Sequence, residues 1–142
     1  MSLPDDIARQ LIDAAKEARA FAYAPYSGFA VGAALLAADG TVYTGCNVEN
    51  SSFGLTCCAE RTALFSAVAA GERDFLAVAV VADGRIVPPC GACRQALSEF
   101  APDLPVVLAS LSGQHTILSL TNPLPEPFSA EFLSRDTERT PD

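Results

Sequence analysis

The chain has 142 residues, of which 50% are apolar and 18% are charged, so its length and composition suit one domain with a packed core. No apolar run approaches the roughly 18 residues that a membrane-spanning helix needs. The net charge of −8 leaves few cations to neutralise phosphates, which argues against binding to nucleic acid. The N-terminal segment is acidic where a signal peptide is basic, so we expect a cytoplasmic protein.

The first predicted elements are a helix and a hairpin. Apolar residues at helical spacing predict a helix over residues 4–23. Its predicted buried face consists of Ile7, Leu11, Ala14, Ala15, Ala18 and Phe21. Two β-prone runs, residues 29–38 and 41–47, flank Asp39 and Gly40, and an Asp-Gly pair in that position predicts a hairpin turn.

Two more helices and three more strands are predicted farther along the chain. Helical spacing predicts helices over residues 59–70 and 90–100. The continuous apolar run 75–82 predicts a strand that is buried on both faces. Strands at 105–109 and 116–120 lie too close in sequence for a parallel crossover, so they should be antiparallel neighbours.

This order of elements predicts the fold class, which is α/β. We expect a single three-layer α/β/α domain over residues 1–142 with a mixed five-stranded sheet, whose last two strands are antiparallel. A short helix over residues 129–135 and a loose tail over residues 136–142 complete the prediction.

The cysteines point to metal chemistry. They are Cys46, Cys57, Cys58, Cys90 and Cys93. An odd, clustered set in a chain without an export signal favours metal binding or catalysis over disulfides. Cys58 and Cys90 stand at predicted helix starts, and Cys90 and Cys93 have C-x-x-C spacing. Three sulfurs with a fourth position open to water are typical of a catalytic zinc site, whereas four protein ligands are typical of a structural one.

Glu60 makes this pattern specific. A carboxylate two residues after Cys58 can take a proton from a zinc-bound water and pass it on. Residues 58–60, Cys-Ala-Glu, followed by residues 89–93, Pro-Cys-Gly-Ala-Cys, match the pattern of zinc deaminases, in which the glutamate is not a ligand. We therefore predict that Glu60 is catalytic and that Zn²⁺ is the cofactor.

Over residues 22–128 the chain resembles the small, homotetrameric type of cytidine deaminase. The segments that carry the resemblance are residues 23–27, 29–33, 45–50, 58–63 and 89–95. The resemblance implies that Cys58, Cys90 and Cys93 ligate Zn²⁺ and that Glu60 shuttles protons. It implies hydrolytic deamination of free cytidine and 2′-deoxycytidine at C4 of the base, with release of ammonia, as a step of pyrimidine salvage.

The same resemblance implies contacts to the substrate. Asn47 and Glu49 would hold the ribose 3′-hydroxyl, and Phe29 would pack against the pyrimidine. The full predicted set is Phe29, Asn47, Val48, Glu49, Asn50, Ser51, Ser52, Phe53 and Ala59. In a homotetramer, the regions around Phe53 and Phe128 would complete the sites of neighbouring subunits.

Two arginines are expected to support the metal. Arg61 and Arg94 each follow a motif directly, and we predict that they hydrogen-bond the thiolates and offset their negative charge. The chain departs from the family at Gly28, where many relatives carry a longer residue, and at Phe53, where tyrosine is common.

Other interpretations fit parts of the pattern. The cysteines could form a structural zinc site with Cys57, Cys46 or His115 as the fourth ligand, or a redox-active C-x-x-C pair. Phe29 and Phe53 could be core residues, and the two arginines could be solvated helix charges. The chain could also act on another cytosine-bearing compound, such as a nucleoside antibiotic, or serve as a non-catalytic zinc module.

Overall fold

The computed structural model describes residues 3–84 and 86–121. Its elements are α1 (Asp5–Arg19), β1 (Val31–Ala37), β2 (Val42–Cys46), a 3₁₀ turn (Phe53–Leu55), α2 (Ala59–Ala69), β3 (Phe75–Ala82), α3 (Gly91–Ser98), β4 (Pro105–Ser110) and β5 (His115–Ser119). Apart from the short 3₁₀ turn, this is the predicted order of helices and strands. Within the described residues, no helix is long and apolar enough to cross a membrane.

The five strands form one mixed sheet in the order β2-β1-β3-β4-β5. The central pair β3 and β4 is parallel, and the other neighbours are antiparallel. The predicted antiparallel pairing of the last two strands is therefore confirmed, as is the mixed five-stranded sheet.

Helices cover both faces of the sheet, which confirms the three-layer prediction. Helix α1 packs on one face through Ala8, Leu11, Ile12 and Ala15. Helices α2 and α3 pack on the other face, where Leu64 and Leu97 are fully buried. Strand β3 lies between the layers, and its alternate side chains face opposite helices, so almost the whole apolar run is buried, as expected.

Helix α1 is shorter than predicted. It ends at Arg19, and Phe21, which was expected on the buried face, is 81% exposed, so that part of the prediction is wrong. The reason is a competing set of backbone hydrogen bonds. The N–H of Tyr23 donates to the carbonyl of Asn47 (3.0 Å), and the N–H of Glu49 donates to the carbonyl of Tyr23 (2.8 Å). The chain leaves the helix to pair with the segment that follows β2.

The hairpin of β1 and β2 has a longer connection than predicted. Strand β1 ends at Ala37 and strand β2 begins at Val42, so residues 38–41 form the loop. Gly40 has a φ of +93°, and the N–H of Thr41 donates to the Asp39 side chain at 2.9 Å. The Asp-Gly pair makes the turn as expected, but inside a four-residue loop.

Residues 122–142 lie outside the described part of the chain. The predicted helix over residues 129–135, the predicted tail over residues 136–142 and Phe128 all fall there. The assignment of the whole chain to a single domain stays a prediction.

Helix α2 approaches the sheet very closely at one glycine. A Cβ atom added to Gly45 in β2 would lie 2.4 Å from the backbone nitrogen of Ala63 and 2.6 Å from the carbonyl oxygen of Ala59. Both contacts are with the backbone of α2, which cannot rotate away as a side chain can. The absence of a side chain at Gly45 therefore lets the start of α2 sit against the sheet.

We expect Gly45→Ala to reduce the free energy of unfolding by about 1–3 kcal/mol, the usual range for overpacking a well-packed site. Urea denaturation followed by circular dichroism measures this. The matched control is Gly54→Ala, because a Cβ atom there meets no heavy atom within 4 Å. Equal stability of the two variants would contradict the close approach of α2 to β2.

Candidate metal centre and active site

Three cysteine sulfurs from two helix starts meet at one place. Cys58 is the N-cap residue of α2, Cys90 is the N-cap residue of α3, and Cys93 lies in the first turn of α3. The three sulfurs all lie within 4.8 Å of one another, and those of Cys58 and Cys90 are 3.6 Å apart. Neither N-cap side chain makes a capping hydrogen bond, so both sulfurs remain available as ligands.

This donor set fits a zinc ion. Three sulfurs fill three corners of a tetrahedron and leave one position open, as in catalytic zinc sites. Among residues 3–84 and 86–121, no fourth cysteine, histidine or carboxylate joins the group. Cys57, the neighbour of Cys58, instead accepts a hydrogen bond from the Thr62 hydroxyl at 3.7 Å. The geometry therefore does not support a closed structural site with Cys57, Cys46 or His115.

The short distances between the sulfurs shift the pKa values of Cys58 and Cys93. The hydrogen bond from Cys93 and the nearby Arg61 guanidinium lower the pKa of Cys58 to about 5, although its partial burial opposes this. The hydrogen bond to Cys58, together with burial, raises the pKa of Cys93 above its usual value. Adjacent thiolates repel each other, whereas a divalent cation between them favours deprotonation of all three. The positive ends of α2 and α3 act in the same direction.

Arg61 contacts the sulfur cluster directly. Its Nη2 donates to the sulfur of Cys58 at 3.6 Å, and its buried Nε has no hydrogen-bond partner. The contact with Cys58 raises the pKa of Arg61, so the guanidinium remains charged. Arg94 makes a different bond, from its Nε to the carbonyl of Pro89 at 2.7 Å, next to Cys90. The predicted role of both arginines at the thiolates stays a prediction.

Glu60 lies beside the sulfurs and is almost completely buried, with 4% of its surface exposed. It is the second residue of α2, directly after Ala59, so the helix start that positions Cys58 also positions this carboxyl group. Burial, and to a lesser extent the negative charge of Cys58, raises the pKa of Glu60 above its usual value. A carboxyl group in this position is suited to holding and releasing a proton next to the metal.

A cavity of about 250 Å³ adjoins Glu60 and the sulfurs of Cys58 and Cys90. The predicted site residues that line it are Phe29, Asn47, Glu49, Cys58, Ala59, Glu60 and Cys90. The lining residues that the sequence did not single out are Ser27, Val31, Thr56, Val80, Val87 and Pro88. The structure thus brings residues from five separate segments of the sequence to one cavity.

A second hollow adjoins this cavity and shares three of its lining residues. It is bordered by Tyr26 and Phe53, whose ring centroids lie 5.6 Å apart. Phe53 is 74% exposed and Phe29 is 40% exposed, so neither belongs to the core, and that alternative is wrong. Phe29 lines the cavity itself, whereas Phe53 borders only the hollow beside it.

The side chain of Asn47 fixes the wall of the cavity at the start of β1. Its Oδ1 accepts the N–H of Val31 at 2.9 Å, and its Nδ2 donates to the carbonyl of Phe29 at 2.7 Å. These two bonds explain why β1 begins at Val31 rather than at Phe29, because a side chain replaces the neighbouring strand there. One N–H of the Asn47 amide remains for another partner.

Glu49 is held by the loop that precedes Phe29. Its Oε1 accepts the backbone N–H groups of Tyr26 and Ser27 at 2.9 and 3.1 Å, and its Oε2 accepts the Ser27 hydroxyl at 2.5 Å. These bonds, the hydroxyl foremost, hold the pKa of Glu49 below its usual value. The carboxylate is therefore ionised at neutral pH where it faces the cavity.

The rest of the predicted substrate loop lies outside the cavity. The backbone of Val48 pairs with both Tyr23 and Cys57, and the Asn50 side chain accepts the N–H of Ser52 at 2.8 Å. Ser51 is exposed beside them. These bonds shape the loop, and the Val48–Cys57 pairing ties it to the start of α2. Contact of these residues with a substrate stays a prediction.

Ser27 and Thr56 are the polar lining residues that sequence reasoning missed. Thr56 gave no signal, because a threonine in a polar loop is unremarkable. Ser27 gave a weak one, since it precedes Gly28 (φ +68°) and its hydroxyl accepts the N–H of Phe29 at 3.0 Å. A serine that bonds to the backbone two residues ahead is a common turn feature.

Comparisons with known proteins agree with this site. Residues 5–109 match the family model described as the cytidine and deoxycytidylate deaminase zinc-binding region. A cytidine deaminase of Sporosarcina psychrophila is 53% identical over 132 residues, which cover 92% of this chain and 97% of the relative. One of Halalkalibacterium halodurans is 54% identical over 128 residues, covering 89% and 97%.

A solved structure gives the same result. The crystal structure of a cytidine deaminase from Burkholderia pseudomallei has a TM-score of 0.82 and 55% sequence identity, and the match covers 84% of this chain and 98% of that one. Together with the match of the zinc-binding region over most of the fold, and with three thiols that fit zinc beside a buried glutamate, these similarities show that the chain belongs to the cytidine deaminase family.

Proposed function

We propose that the chain catalyses the hydrolytic deamination of cytidine and 2′-deoxycytidine to uridine and 2′-deoxyuridine, with release of ammonia. The observation that carries this proposal is the position of Glu60, which is buried beside three thiols and lines the same cavity as two of them. A purely structural zinc site has no need of a buried carboxyl group there. Relatives named cytidine deaminase that are 53% and 54% identical over almost the whole chain support the proposal.

The metal and the residues around it have different roles in the proposed reaction. Zinc held by Cys58, Cys90 and Cys93 supplies, when bound, the Lewis acidity that makes water a nucleophile near neutral pH. Water adds through its oxygen to C4 of the pyrimidine, and Glu60 takes one proton from this water and gives it to N3. Glu60 then takes the second proton from the same oxygen and gives it to the 4-amino group, so that the C4–N bond breaks and ammonia leaves. Arg61 offsets part of the negative charge that three thiolates bring to the metal.

The proposed substrate contacts are made by residues that line the cavity. The ring of Phe29 packs against the pyrimidine, and Asn47 and Glu49 hydrogen-bond the ribose 3′-hydroxyl. The carboxylate of Glu49 is an acceptor, and the Asn47 amide keeps one donor free, so together they suit a hydroxyl group. Both Phe29 and Glu49 line the cavity.

Free nucleosides rather than polynucleotides are the proposed substrates. Neither the cavity nor the adjoining hollow has a lysine or arginine among its described lining residues. Binding to a nucleic acid chain relies on such cations at the phosphates. The connection between β4 and β5 consists of residues 111–114 and contains no helix, so it adds little surface for contact with a polynucleotide.

The compartment and the metabolic role belong to the proposal as well. The five cysteines are free, and a cluster of metal-binding thiols is best preserved in a reducing compartment, which supports a cytoplasmic enzyme. Conversion of cytidine to uridine is a step of pyrimidine salvage, the role that we assign to the chain.

We expect Cys58→Ala, Cys90→Ala or Cys93→Ala to lose zinc, because each removes one of three sulfurs that share the ion. Plasma emission spectroscopy of the dialysed protein measures zinc per chain. Cys57→Ala is the matched control and should retain one zinc, since Cys57 bonds Thr62 instead. Full zinc occupancy in Cys58→Ala would contradict the ligand assignment.

We expect Glu60→Gln to retain zinc and lose turnover. The amide keeps the size of the side chain but cannot carry a proton, and such general acid–base help contributes about 10²–10⁴-fold to a rate. The measurement is ammonia release from cytidine by protein whose zinc content has been checked. Activity within a few-fold of the wild type would mean that another group moves the proton, or that the zinc module is not the catalyst.

We expect cytidine to be a good substrate and CMP a poor one. The ionised Glu49 faces the sugar, and no lysine or arginine is among the described residues that line the cavity. Like charges a few ångströms apart at a protein surface repel by several kcal/mol. The kcat/KM for CMP should be lower by about 100-fold. Kinetics with both compounds at equal pH and salt measure this ratio. Equal values would show that the sugar end of the site is open to solvent or lined by basic residues, and would contradict the role assigned to Glu49.

We expect a homotetramer in which the Phe53 region, and the region of Phe128 beyond the described residues, complete neighbouring sites. Large apolar side chains that are more than half exposed support association: Phe21, Tyr23, Tyr26, Phe53, Leu55 and Phe65. Sedimentation velocity at micromolar concentration should give a mass of four chains. An active monomer would rule out shared sites.

A further inference from the structure

The Ser27 hydroxyl connects Glu49 and Phe29, two residues that are proposed to contact different parts of the substrate. Its O–H donates to Oε2 of Glu49 at 2.5 Å, and its oxygen accepts the backbone N–H of Phe29 at 3.0 Å. Glu49 is the proposed partner of the sugar, and Phe29 is the proposed partner of the base. One side chain that none of the comparisons singles out therefore connects both halves of the substrate site.

We propose that Ser27 is a positioning residue, which orients the Glu49 carboxylate toward the sugar hydroxyl. This inference rests on the proposed function, because it takes Glu49 as the acceptor for the 3′-hydroxyl. Ser27 itself acts through Glu49 and needs no contact with the reacting atoms.

The number of hydrogen bonds at Glu49 shows what this positioning achieves. A carboxylate offers about four acceptor positions, and the N–H of Tyr26, the N–H of Ser27 and the Ser27 hydroxyl fill three of them. The remaining position is left for a donor in the cavity. A glutamate side chain held in this way has lost its rotamer freedom before the substrate arrives, so less entropy is lost on binding.

The geometry of the loop keeps Ser27 in place. The N–H of Gly28 donates to the carbonyl of Ala24 at 2.9 Å, and Gly28 adopts a φ of +68°. This left-handed residue turns the chain, so that the N–H of Phe29 points back to the Ser27 oxygen. Both the donor and the acceptor capacity of the hydroxyl are thus used inside the site, and alanine supplies neither.

The test is a double-mutant cycle on the zinc-loaded enzyme. Wild type, Ser27→Ala, Glu49→Ala and the double variant are assayed with cytidine and with 3′-deoxycytidine, which lacks the hydroxyl that Glu49 is proposed to bind. Ser66→Ala, at an exposed position of α2, is the matched control for loss of a serine. Zinc content and thermal midpoint are measured for every variant.

We expect Ser27→Ala to raise KM for cytidine about 10-fold, the usual effect of losing a hydrogen bond to a charged group, while kcat changes less than about 3-fold. The loss should be absent with 3′-deoxycytidine and should shrink to less than about 2-fold in the Glu49→Ala background. Ser27→Thr retains the hydroxyl and should recover most of the loss. If Ser27→Ala does not fold, Ser27→Cys, a weaker donor of similar size, should show the same pattern.

Three results would overturn the inference. Equal losses with both substrates, or losses that add in the double variant, would mean that Ser27 only stabilises the loop. An unchanged KM in Glu49→Ala would remove the group through which Ser27 is proposed to act. Failure of the wild-type zinc enzyme to release ammonia from cytidine would instead overturn the proposed function, so the two failures are distinguishable.

Discussion

Three sulfurs within 4.8 Å of one another are the physical constraint on which the site depends. Three thiolates so close together repel each other, and a cation, an arginine and the positive ends of two helices are the means to offset that repulsion. The arginine and both helix ends converge here, because Cys58 and Cys90 are the N-cap residues of α2 and α3 and Arg61 lies one turn from Cys58. The same arrangement places Glu60 beside the metal position, since it occupies the turn of helix that Cys58 caps.

The wall of the cavity at Phe29, Asn47 and Glu49 depends on a second set of interactions. These interactions connect loops to one another rather than helices. The side chains of Asn47 and Glu49 form hydrogen bonds with backbone groups of Phe29, of Val31 and of the turn that precedes Phe29. The pairing of Val48 with Cys57 then joins this wall to the residue before the first sulfur. The cavity wall and the cysteine cluster are therefore connected by one network of backbone and side-chain hydrogen bonds, because Val48 pairs with the segment that leads into α2.

Local patterns predicted most of the fold, and long-range hydrogen bonds account for the differences. The apolar run of β3, the Asp-Gly turn and the helical spacing over α2 each act over a few residues, so periodicity identified them. The end of α1 at Arg19 depends on Tyr23 meeting residues that follow β2, and no window of sequence contains both partners. For the same reason the sequence did not predict Thr56 and Val80 as cavity residues, whereas the cysteines and Glu60 were recognised from two short motifs, residues 58–60 and 89–93, each of which is local.

Zinc-edge X-ray absorption of the purified, zinc-loaded protein tests the central claim most directly, namely that the three thiols hold one zinc with an open fourth position. Three sulfur neighbours at about 2.3 Å and one oxygen at about 2.0–2.2 Å are the result that this account predicts. That result should persist in Cys57→Ala, because Cys57 lies outside the group of sulfurs. Four sulfur neighbours, or a histidine in the first coordination sphere, would contradict it and would return the site to a structural role.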